Sequence, residues 1–369
     1  MKYNWELPDW PEFTFSLKKI ESLLHDFSIE TGELTGILKA LPPDIQEESL
    51  LEVMLSEAIK TSEIEGEFLS RIDVMSSIRN NLGLNETMEP VRDQKSQGIG
   101  QLMVDVRKSY QEPLTEQKLL EWHKLLLGSS LRIRVGQWRV GAERMQIVSG
   151  SIGKEKIHFQ APPSQQVSEE MRQFISWFNA TAPDESKTIS SAPVRAAIAH
   201  LYFESIHPFE DGNGRIGRAI AEKTLSQTLG RPVMMSLSRT IEADRKNYYA
   251  ALEQAQTSNE ITAWISYFVE VALKAQRESR QLIDFTLQKT RFFDRHKTQL
   301  NERQTRVIQK MLEAGQGGFE GGMSAKKYMS ITKTSKATAT RDLQMLSELG
   351  VFKAEGGGRS VRYGLVLVS

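Results

Sequence analysis

The stretch HPFEDGNGRIGR, from His207 to Arg218, decides how the chain is interpreted, because it places an imidazole, two acids, spaced glycines and two guanidinium groups side by side. Proline disfavours the αR region for the residue before it, so Pro208 should end the preceding helix near Ile206 and put His207 on a loop. Histidine side chains titrate near neutral pH and suit the removal of a proton from a hydroxyl group. The stretch therefore predicts a base that stands beside a bound anion.

The glycines of this stretch predict the anion site. The next helix should begin near Gly214, which leaves the backbone N–H groups of residues 212–215 as free donors at the positive end of the helix dipole. Such a helix start binds anions. Gly212 and Gly214 permit positive φ and close approach by a phosphate, and Asn213 can add an amide donor.

Charged side chains complete this predicted site. Arg215 and Arg218 are three residues apart, so they are neighbours on one helix face and can clamp two further phosphates. Asp211 is placed to hold Mg²⁺, an ion that takes few protein ligands when it also binds phosphates. The alternative is an ordinary turn and helix start with solvated arginines, which a lone Gly-Asn-Gly would favour and the complete set does not.

The segment matches, residue for residue, the HPFx(D/E)GNGRxxR signature of Fic-domain proteins. Its surroundings are similar to that family from about residue 50 to residue 275: a hairpin precedes the motif, and SLSRTIEADRKNYYAALEQAQ follows it before a closing helix with Trp264. The resemblance implies a mainly α fold, with a helical Fic core and a β-hairpin flap. It also implies transfer of AMP from ATP to a Ser, Thr or Tyr hydroxyl of a protein, with release of pyrophosphate.

The same resemblance assigns a role to each residue of the motif. It implies that His207 is the general base and that Asp211 holds Mg²⁺. It gives the α-, β- and γ-phosphate, in that order, to Asn213, Arg215 and Arg218. Phosphoryl-group chemistry demands positioning and charge neutralisation more than covalent help, so these roles agree with what the residue types alone indicate.

The segment TSEIEGE, residues 61–67, closes an early helix. Glu65 falls in the last turn, where the helix dipole disfavours a carboxylate, and Gly66 supplies a left-handed stop; alone, Glu65 would be a solvated acid. The segment resembles the inhibitory (S/T)xxxE(G/N) motif of Fic proteins through Thr61, Glu65 and Gly66, which implies a salt bridge from Glu65 to Arg218 in place of the γ-phosphate. In some similar proteins this glutamate positions water for removal of AMP, so the direction of the reaction stays open.

Residues 145–163 predict a lone β-hairpin, in which MQIVSG and KIHFQ flank a turn at Ser149 to Gly153. An open edge of the hairpin can pair with an extended target segment and bring a hydroxyl toward His207. The alternative is a hairpin that only covers the site.

Two tyrosines are candidates for a base pocket. Tyr248 and Tyr249 line it by resemblance, and because aromatic faces suit purines, although tyrosines at helical spacing are more often core residues. Gln256 stands where related proteins can carry asparagine. His200, on the helix that leads to the motif, is expected to be structural.

The composition places the chain among globular proteins. It has 369 residues, 39% of them hydrophobic, and its 47 basic and 47 acidic residues cancel, so overall charge favours neither nucleic acid nor a membrane surface. It has no cysteine, which excludes disulfides, thiolate nucleophiles and the commonest structural zinc sites. No apolar run suits a signal peptide or a membrane span, so we expect a soluble, cytoplasmic protein without a membrane partner.

Residues 301–369 differ in character from the rest. They hold eleven Lys and Arg against six Asp and Glu, and they predict helices, a glycine-rich break and two strands in the order of a winged helix-turn-helix domain. Candidate DNA contacts lie on the predicted third helix and in the wing: Lys336, Thr338, Thr340, Arg341, Arg359 and Arg362. Such modules also serve in dimerisation or protein docking. The rival function is therefore a DNA-binding transcription regulator that uses its Fic region as a nucleotide sensor.

The predicted organisation has four parts: an N-terminal helical region with the inhibitory helix at 1–85, a Fic catalytic core at 86–275, a connecting helix at 276–300, and the winged helix-turn-helix at 301–369. The expected co-substrate is ATP and the expected cofactor is Mg²⁺. The expected partner is a protein with a hydroxyl side chain. Self-modification, DNA binding and a homodimer stay open.

Overall fold

The computed structural model describes residues 2–142, 144–149, 156–314, 318–357 and 361–367. In this part the chain is mainly helical, with two small antiparallel hairpins. The helices are α1 Glu21–Ala40, α2 Pro43–Ile64, α3 Arg71–Leu82, α4 Gln94–Lys108, α5 Glu116–Leu127, α6 Val167–Ala180, α7 Ala192–Ile206, α8 Asn213–Leu229, α9 Leu237–Ala243, α10 Arg245–Ala255, α11 Thr262–His296, α12 Glu302–Leu312, α13 Ala325–Thr332 and α14 Lys336–Glu348. The strands are β1 Gln146–Ser149, β2 Lys156–Gln160, β3 Phe352–Glu355 and β4 Arg362–Leu365.

The chain divides into two compact units. The first comprises Met1–Leu41 with Leu50–Ser279, and the second comprises Pro42–Ser49 with Arg280–Ser369. The finer division into four parts remains a prediction. No helix in the described ranges combines the length and the apolar character that a membrane crossing requires.

The first unit is built around α7. Every residue of this helix is buried, and the buried set includes the polar side chains of Arg195, His200 and Glu204. One apolar cluster takes its Tyr202, Phe203 and Ile206, and a second takes Ile198 and Leu201, so α7 separates two halves of the core. The end predicted near Ile206 for the helix before the motif is confirmed, because α7 ends at that residue.

Local residue chemistry explains how the helices around the site end. Gly66 and Gly83 take positive φ after α2 and α3, and Ser70 caps α3 by accepting the N–H of Asp73. Pro42 and Pro43 follow the end of α1, and Pro43 is the first residue of α2. These breaks place the end of α2 in the first unit, close to the start of α8.

The predicted hairpin is confirmed. Strands β1 and β2, which we call the flap, pair antiparallel with an irregularity between Ile147 and Val148, and they form a two-stranded sheet. The indole N–H of Trp5 donates to the carbonyl of Gln160 at 2.7 Å, so the N-terminal segment packs on β2. The turn predicted at Ser149 to Gly153 lies outside the described residues from position 150 onward.

The second unit has the predicted order of elements. Helices α12, α13 and α14 and the hairpin β3–β4 enclose their own apolar cluster, with Tyr328, Leu343 and Phe352 among its buried members. Residues 333–335 join α13 to α14, with Lys333 at φ 55°. The assignment as a winged helix-turn-helix remains a prediction. Arg359 and part of the predicted glycine-rich break, residues 315–317, lie outside the described residues.

Candidate active site

A cavity of about 650 Å³ lies in the first unit, between the flap, the start of α8 and α10. His207, Asp211 and Arg218 line it, together with Glu65 from the chain just after α2. A concave site of this size accepts a small-molecule ligand. The structure thus brings the predicted base, the predicted metal ligand, two of the three predicted phosphate ligands (Asn213 and Arg218) and the predicted inhibitory acid to one space.

The backbone at His207 is held in an uncommon conformation. The residue follows the last residue of α7 with φ 49° and ψ 61°, so it leaves the αR region, as predicted, for the left-handed region. Nε of Arg139 donates to the carbonyl of His207 at 2.7 Å, and its backbone N–H donates to the carbonyl of Pro208 at 2.9 Å. Burial lowers the pKa of Arg139 to about 10, which leaves a cation at the carbonyl end of α7.

Asn213 closes the loop on itself. Its Oδ1 accepts the N–H of Phe209 and its Nδ2 donates to the carbonyl of Phe209, each at 2.9 Å. The side chain is buried. The amide donor that we expected to reach a phosphate is therefore used within the loop, which leaves the backbone N–H of Asn213 at the first position of α8.

His123 supports the same loop from α5. Its Nδ1 accepts the N–H of Gly136 at 2.8 Å, so the ring proton is on Nε2, which donates to the carbonyl of Asp211 at 3.2 Å. The ring stacks on Phe209 with centroids 4.1 Å apart. Burial lowers the pKa of His123, which favours the neutral ring that these two bonds require.

The start of α8 faces a carboxylate. Gly212 precedes the helix at φ 81°, and a side-chain carbon added at Gly214 would collide with Oε1 of Glu65. The same added carbon would lie 3.0 Å from Nη1 of Arg218. Glycine at position 214 therefore lets Glu65 rest on the first turn of α8, where the sequence predicts a bound anion.

Arg218 is fully enclosed and holds the segment that the sequence predicts to be inhibitory. Its Nη2 donates to Oε1 of Glu65 at 2.8 Å and to the carbonyl of Thr61 at 3.0 Å, and its Nε donates to Oγ1 of Thr61 at 2.7 Å. The side chain of Arg218 is 1% exposed and that of Glu65 is 30% exposed. Burial opposes the charge on Arg218, but Glu65 outweighs it and raises the pKa of the guanidinium.

Arg215 is paired with a different acid. Its Nη1 donates to Oε2 of Glu67, and the other oxygen of Glu67 accepts from Nζ of Lys95 at 2.6 Å. The Arg215 side chain is 3% exposed. Both arginines of the motif therefore contact acids from one segment, residues 65–67.

Asp211 projects into the cavity. Its side chain is 58% exposed, and its Oδ1 accepts the N–H of Gly212 at 2.6 Å and lies 3.6 Å from Nη2 of Arg215. Among the residues that the structure describes, no group of three or more His, Asp or Glu side chains could hold a metal ion. A metal bound by Asp211 would therefore take most of its ligands from phosphate and water, which suits Mg²⁺.

The two tyrosines of α10 both line the cavity, in different ways. Tyr248 is buried, and its hydroxyl lies 2.8 Å from Nε2 of His200. Tyr249 is 41% exposed, and burial of the rest of its side chain raises its pKa to about 12. His200 is fully buried, and burial lowers its pKa, which agrees with the structural role expected for it. Gln256 lines the cavity and donates to the carbonyl of Glu204 at 3.2 Å.

The flap is tied to α10 by a histidine. Nδ1 of His158 lies 2.9 Å from Oε2 of Glu253, and its Nε2 lies 2.6 Å from Oγ of Ser149 on the facing strand. All three residues line the cavity. The pairing holds the flap over the site.

Four side chains to which the sequence analysis gave no role contribute to the site: His123, Arg139, Glu67 and Glu204. The contacts of His123 with Asp211 and of Arg139 with His207 join segments that are far apart in the sequence, so no local pattern predicts them. The two acids carried a local signal, because each lies within three residues of a residue that the analysis singled out.

Sequence comparisons agree with this geometry. Residues 113–225 match the profile of the Fic/DOC family, and residues 3–84 match a domain of unknown function, DUF4172. The protein adenylyltransferase fic-1 of Caenorhabditis elegans is 30% identical over 138 residues, which is 37% of this chain and 23% of that protein. A probable protein adenylyltransferase of Aquifex aeolicus is 32% identical over 98 residues, which is 27% of each chain. The chain thus spans about a quarter of the length of these relatives.

Structural comparisons support the same fold. A Fic family protein from Desulfovibrio desulfuricans has a TM-score of 0.54 at 19% identity, with 97% of this chain and 99% of that chain covered. Fic-1 of C. elegans has a TM-score of 0.52 at 19% identity, with 72% of this chain and 74% of that chain covered. The first unit is therefore a mainly helical Fic fold with a small β-hairpin.

Proposed function

We propose that this chain, in which a Fic/DOC region follows a DUF4172 region, transfers AMP from ATP to a Ser, Thr or Tyr hydroxyl of a protein and is held in a resting state by Glu65. The observation that carries the proposal is the position of the Glu65 carboxylate. It contacts a buried guanidinium and lies on the first turn of α8. A carboxylate there stands where a phosphate of ATP would bind.

The chemistry follows from the residues that line the cavity. His207 takes the proton of the target hydroxyl, whose oxygen forms a bond to the α-phosphorus while the bond to pyrophosphate breaks. The backbone N–H groups at the start of α8 and the guanidinium of Arg218 bind phosphate oxygens. Asp211 would hold Mg²⁺, which neutralises phosphate charge when bound. The exposed side of Tyr249 offers a ring face to adenine.

The brake acts by competition for one cation. While Glu65 holds Arg218, the γ-phosphate lacks its guanidinium and also meets a like charge, so ATP is excluded from its productive position. Thr61 reinforces this state, because it accepts two further bonds from Arg218. Movement of the segment after α2 would free the site.

The test compares four proteins: wild type, the Glu65→Gly variant, which we call the released variant, and each of these with His207→Ala. Each is incubated with adenine-labelled ATP and Mg²⁺, alone and with a protein extract, and covalent label is counted. We expect weak labelling by wild type, strong labelling by the released variant, and none with His207→Ala. Label that persists without His207 would refute its role as the base.

The reverse reaction is an outcome of the same experiment. If protein labelled by the released variant loses its AMP when wild-type enzyme is added, and an added Glu65→Gln enzyme does not remove it, the glutamate positions water for removal. Stable label in both additions assigns the enzyme to the forward direction.

We also propose a second function, DNA binding, for the second unit. On α14 the exposed side chains near its start include Lys336, Thr340 and Arg341. Of the two acids of that helix, Asp342 is buried and accepts the hydroxyl of Tyr328 at 2.8 Å, and Glu348 is exposed at its last position. Thr338, another candidate DNA contact, is half-buried; its backbone N–H donates to Oγ of Ser335, and its hydroxyl lies 3.1 Å from the same oxygen. The face that α14 exposes near its start is therefore basic, as a phosphate backbone requires.

Fluorescence anisotropy with a labelled DNA duplex tests this function. The double variant Lys336→Ala with Arg341→Ala should weaken binding and reduce its dependence on salt. Lys310→Ala, which removes a cation already paired with Glu313 on α12, is the matched control. No binding at low salt, or equal binding by the double variant, would exclude the DNA role.

A further inference from the structure

A buried acid lies behind the base. Glu204 is on α7, three residues before His207, and its side chain is 4% exposed. Its Oε2 lies 3.7 Å from Nδ1 of His207. Burying an acid is costly unless partners compensate, so its position next to the base requires an explanation.

Charged and polar neighbours offset the burial of Glu204. Burial raises the pKa of this carboxyl, but His207, His200 and Arg218 together outweigh it and bring the pKa below its ordinary value. Among the described residues, these three side chains face it from α7, the following loop and α8, and the hydroxyls of Tyr248 and Tyr249 interact with it from α10. A carboxylate therefore stands among two imidazoles and a guanidinium.

A glycine on α8 leaves room for this side chain. A side-chain carbon added at Gly217 would collide with Oε1 of Glu204 and would lie 3.2 Å from Nδ1 of His200. Any residue larger than glycine at position 217 would displace the acid. Gly217 thus gives room to Glu204 in the same way that Gly214 gives room to Glu65.

The base has a free ring nitrogen on the side of this acid. Nδ1 of His207 is buried and has no hydrogen-bond partner within the described part of the chain, while the side chain as a whole is 12% exposed toward the cavity that it lines. At 3.7 Å the contact with Glu204 is longer than a hydrogen bond. Catalytic hydrogen bonds are often long without substrate and shorten in the reacting complex, and a small rotation closes this one.

We propose that Glu204 is the positioning residue of the base. It accepts the Nδ1 proton of His207, which leaves the unprotonated Nε2 directed at the cavity. When the target hydroxyl gives its proton to Nε2 and pyrophosphate leaves the α-phosphorus, Glu204 stays ionised and stabilises the resulting imidazolium, as the buried acid of a serine-protease triad does. The proposal rests on the proposed function, since it assigns the support of that base.

The kinetic test uses the released variant as parent and adds Glu204→Gln, which keeps the shape and removes the charge, or Glu204→Asp, which keeps the charge. Glu170→Gln is the matched control, because that half-buried acid accepts the indole N–H of Trp10 and does not line the cavity. We expect Glu204→Gln to lower kcat about a hundredfold, with the KM for ATP changed about twofold or less. Glu204→Asp should recover part of kcat, and the control should match the parent.

A second readout separates this proposal from the proposed function. Nuclear magnetic resonance of isotope-labelled histidine reports the tautomer of His207 without any turnover. We expect the Nδ1–H tautomer in the parent and a mixture of tautomers in Glu204→Gln. An unchanged tautomer together with a kcat within about twofold of the parent would overturn the proposal. Equal losses of kcat and ATP affinity in both Glu204 variants, with the tautomer unchanged, would assign Glu204 a purely structural role and overturn it as well.

Discussion

The Glu65→Gly substitution should increase AMP transfer by an amount that the structure allows us to estimate. The substitution removes the 2.8 Å bond between the carboxylate and the buried Nη2 of Arg218. A hydrogen bond to a charged group contributes about 1.5–3 kcal/mol, and partial exposure of Glu65 places this one near about 2 kcal/mol. Since about 1.4 kcal/mol changes a population tenfold, the ATP-competent fraction should rise about thirtyfold.

The assay for this prediction is the initial rate of label transfer at an ATP concentration below KM, where the rate follows the competent fraction. Glu63→Gly is the matched control, because Glu63 lies in the last turn of α2 and pairs with Lys60 rather than with Arg218. Glu65→Gln should give an intermediate rate, since it keeps an acceptor and loses the charge. A released variant within about twofold of wild type, or a Glu63→Gly variant that is equally fast, would refute the reasoning.

Three further predictions concern the surroundings of the site. Glu67→Gln, added to the released variant, should lower the KM for ATP several-fold, because Arg215 then loses its anionic partner. An unchanged KM would show that the pairing of Glu67 with Arg215 does not compete with phosphate. Arg139→Lys should lower the free energy of unfolding by about 2 kcal/mol or more and reduce AMP transfer, since one ammonium group cannot replace the guanidinium bonds to the carbonyls of Ile206, His207 and Pro162. Denaturant unfolding measures this free energy, and a loss below about 0.5 kcal/mol would contradict the prediction. Burial lowers the pKa of His123 and His200, so their contribution to stability is complete above the unfolded pKa of about 6.5 and is lost as pH falls toward the lower folded pKa. The melting temperature should therefore fall between about pH 7 and pH 5, and less steeply in His123→Gln. A melting temperature that does not change with pH would contradict this.

Features of the site that depend on neighbouring residues could be predicted from the sequence. Pro208 ends α7 at Ile206, and Gly212 precedes α8, because proline and glycine act on the backbone within one or two residues. The same holds for Gly66 after α2. The resemblance of residues 61–67 to an inhibitory motif also pointed to the contact of Glu65 with Arg218.

The rest depends on packing between distant segments. Arg139 reaches the carbonyl of His207 from 68 positions earlier, and His123 reaches Asp211 from 88 positions earlier. The periodicity of apolar residues in the sequence does not predict such contacts. The amide of Asn213 shows a different limit, because its short side chain can bind either a phosphate or its own loop, and only the folded backbone shows that it binds Phe209.

The central claim, transfer of AMP to a protein, is tested most directly by finding which phosphate of ATP becomes bound to protein. The released variant is incubated with Mg²⁺ and with ATP that is radiolabelled either at the α-phosphate or at the γ-phosphate, and protein-bound label is counted after denaturation. The account predicts label from the α-phosphate alone, at a level that His207→Ala abolishes. Label from the γ-phosphate, or no label from the α-phosphate once Glu65 has been removed, would contradict it.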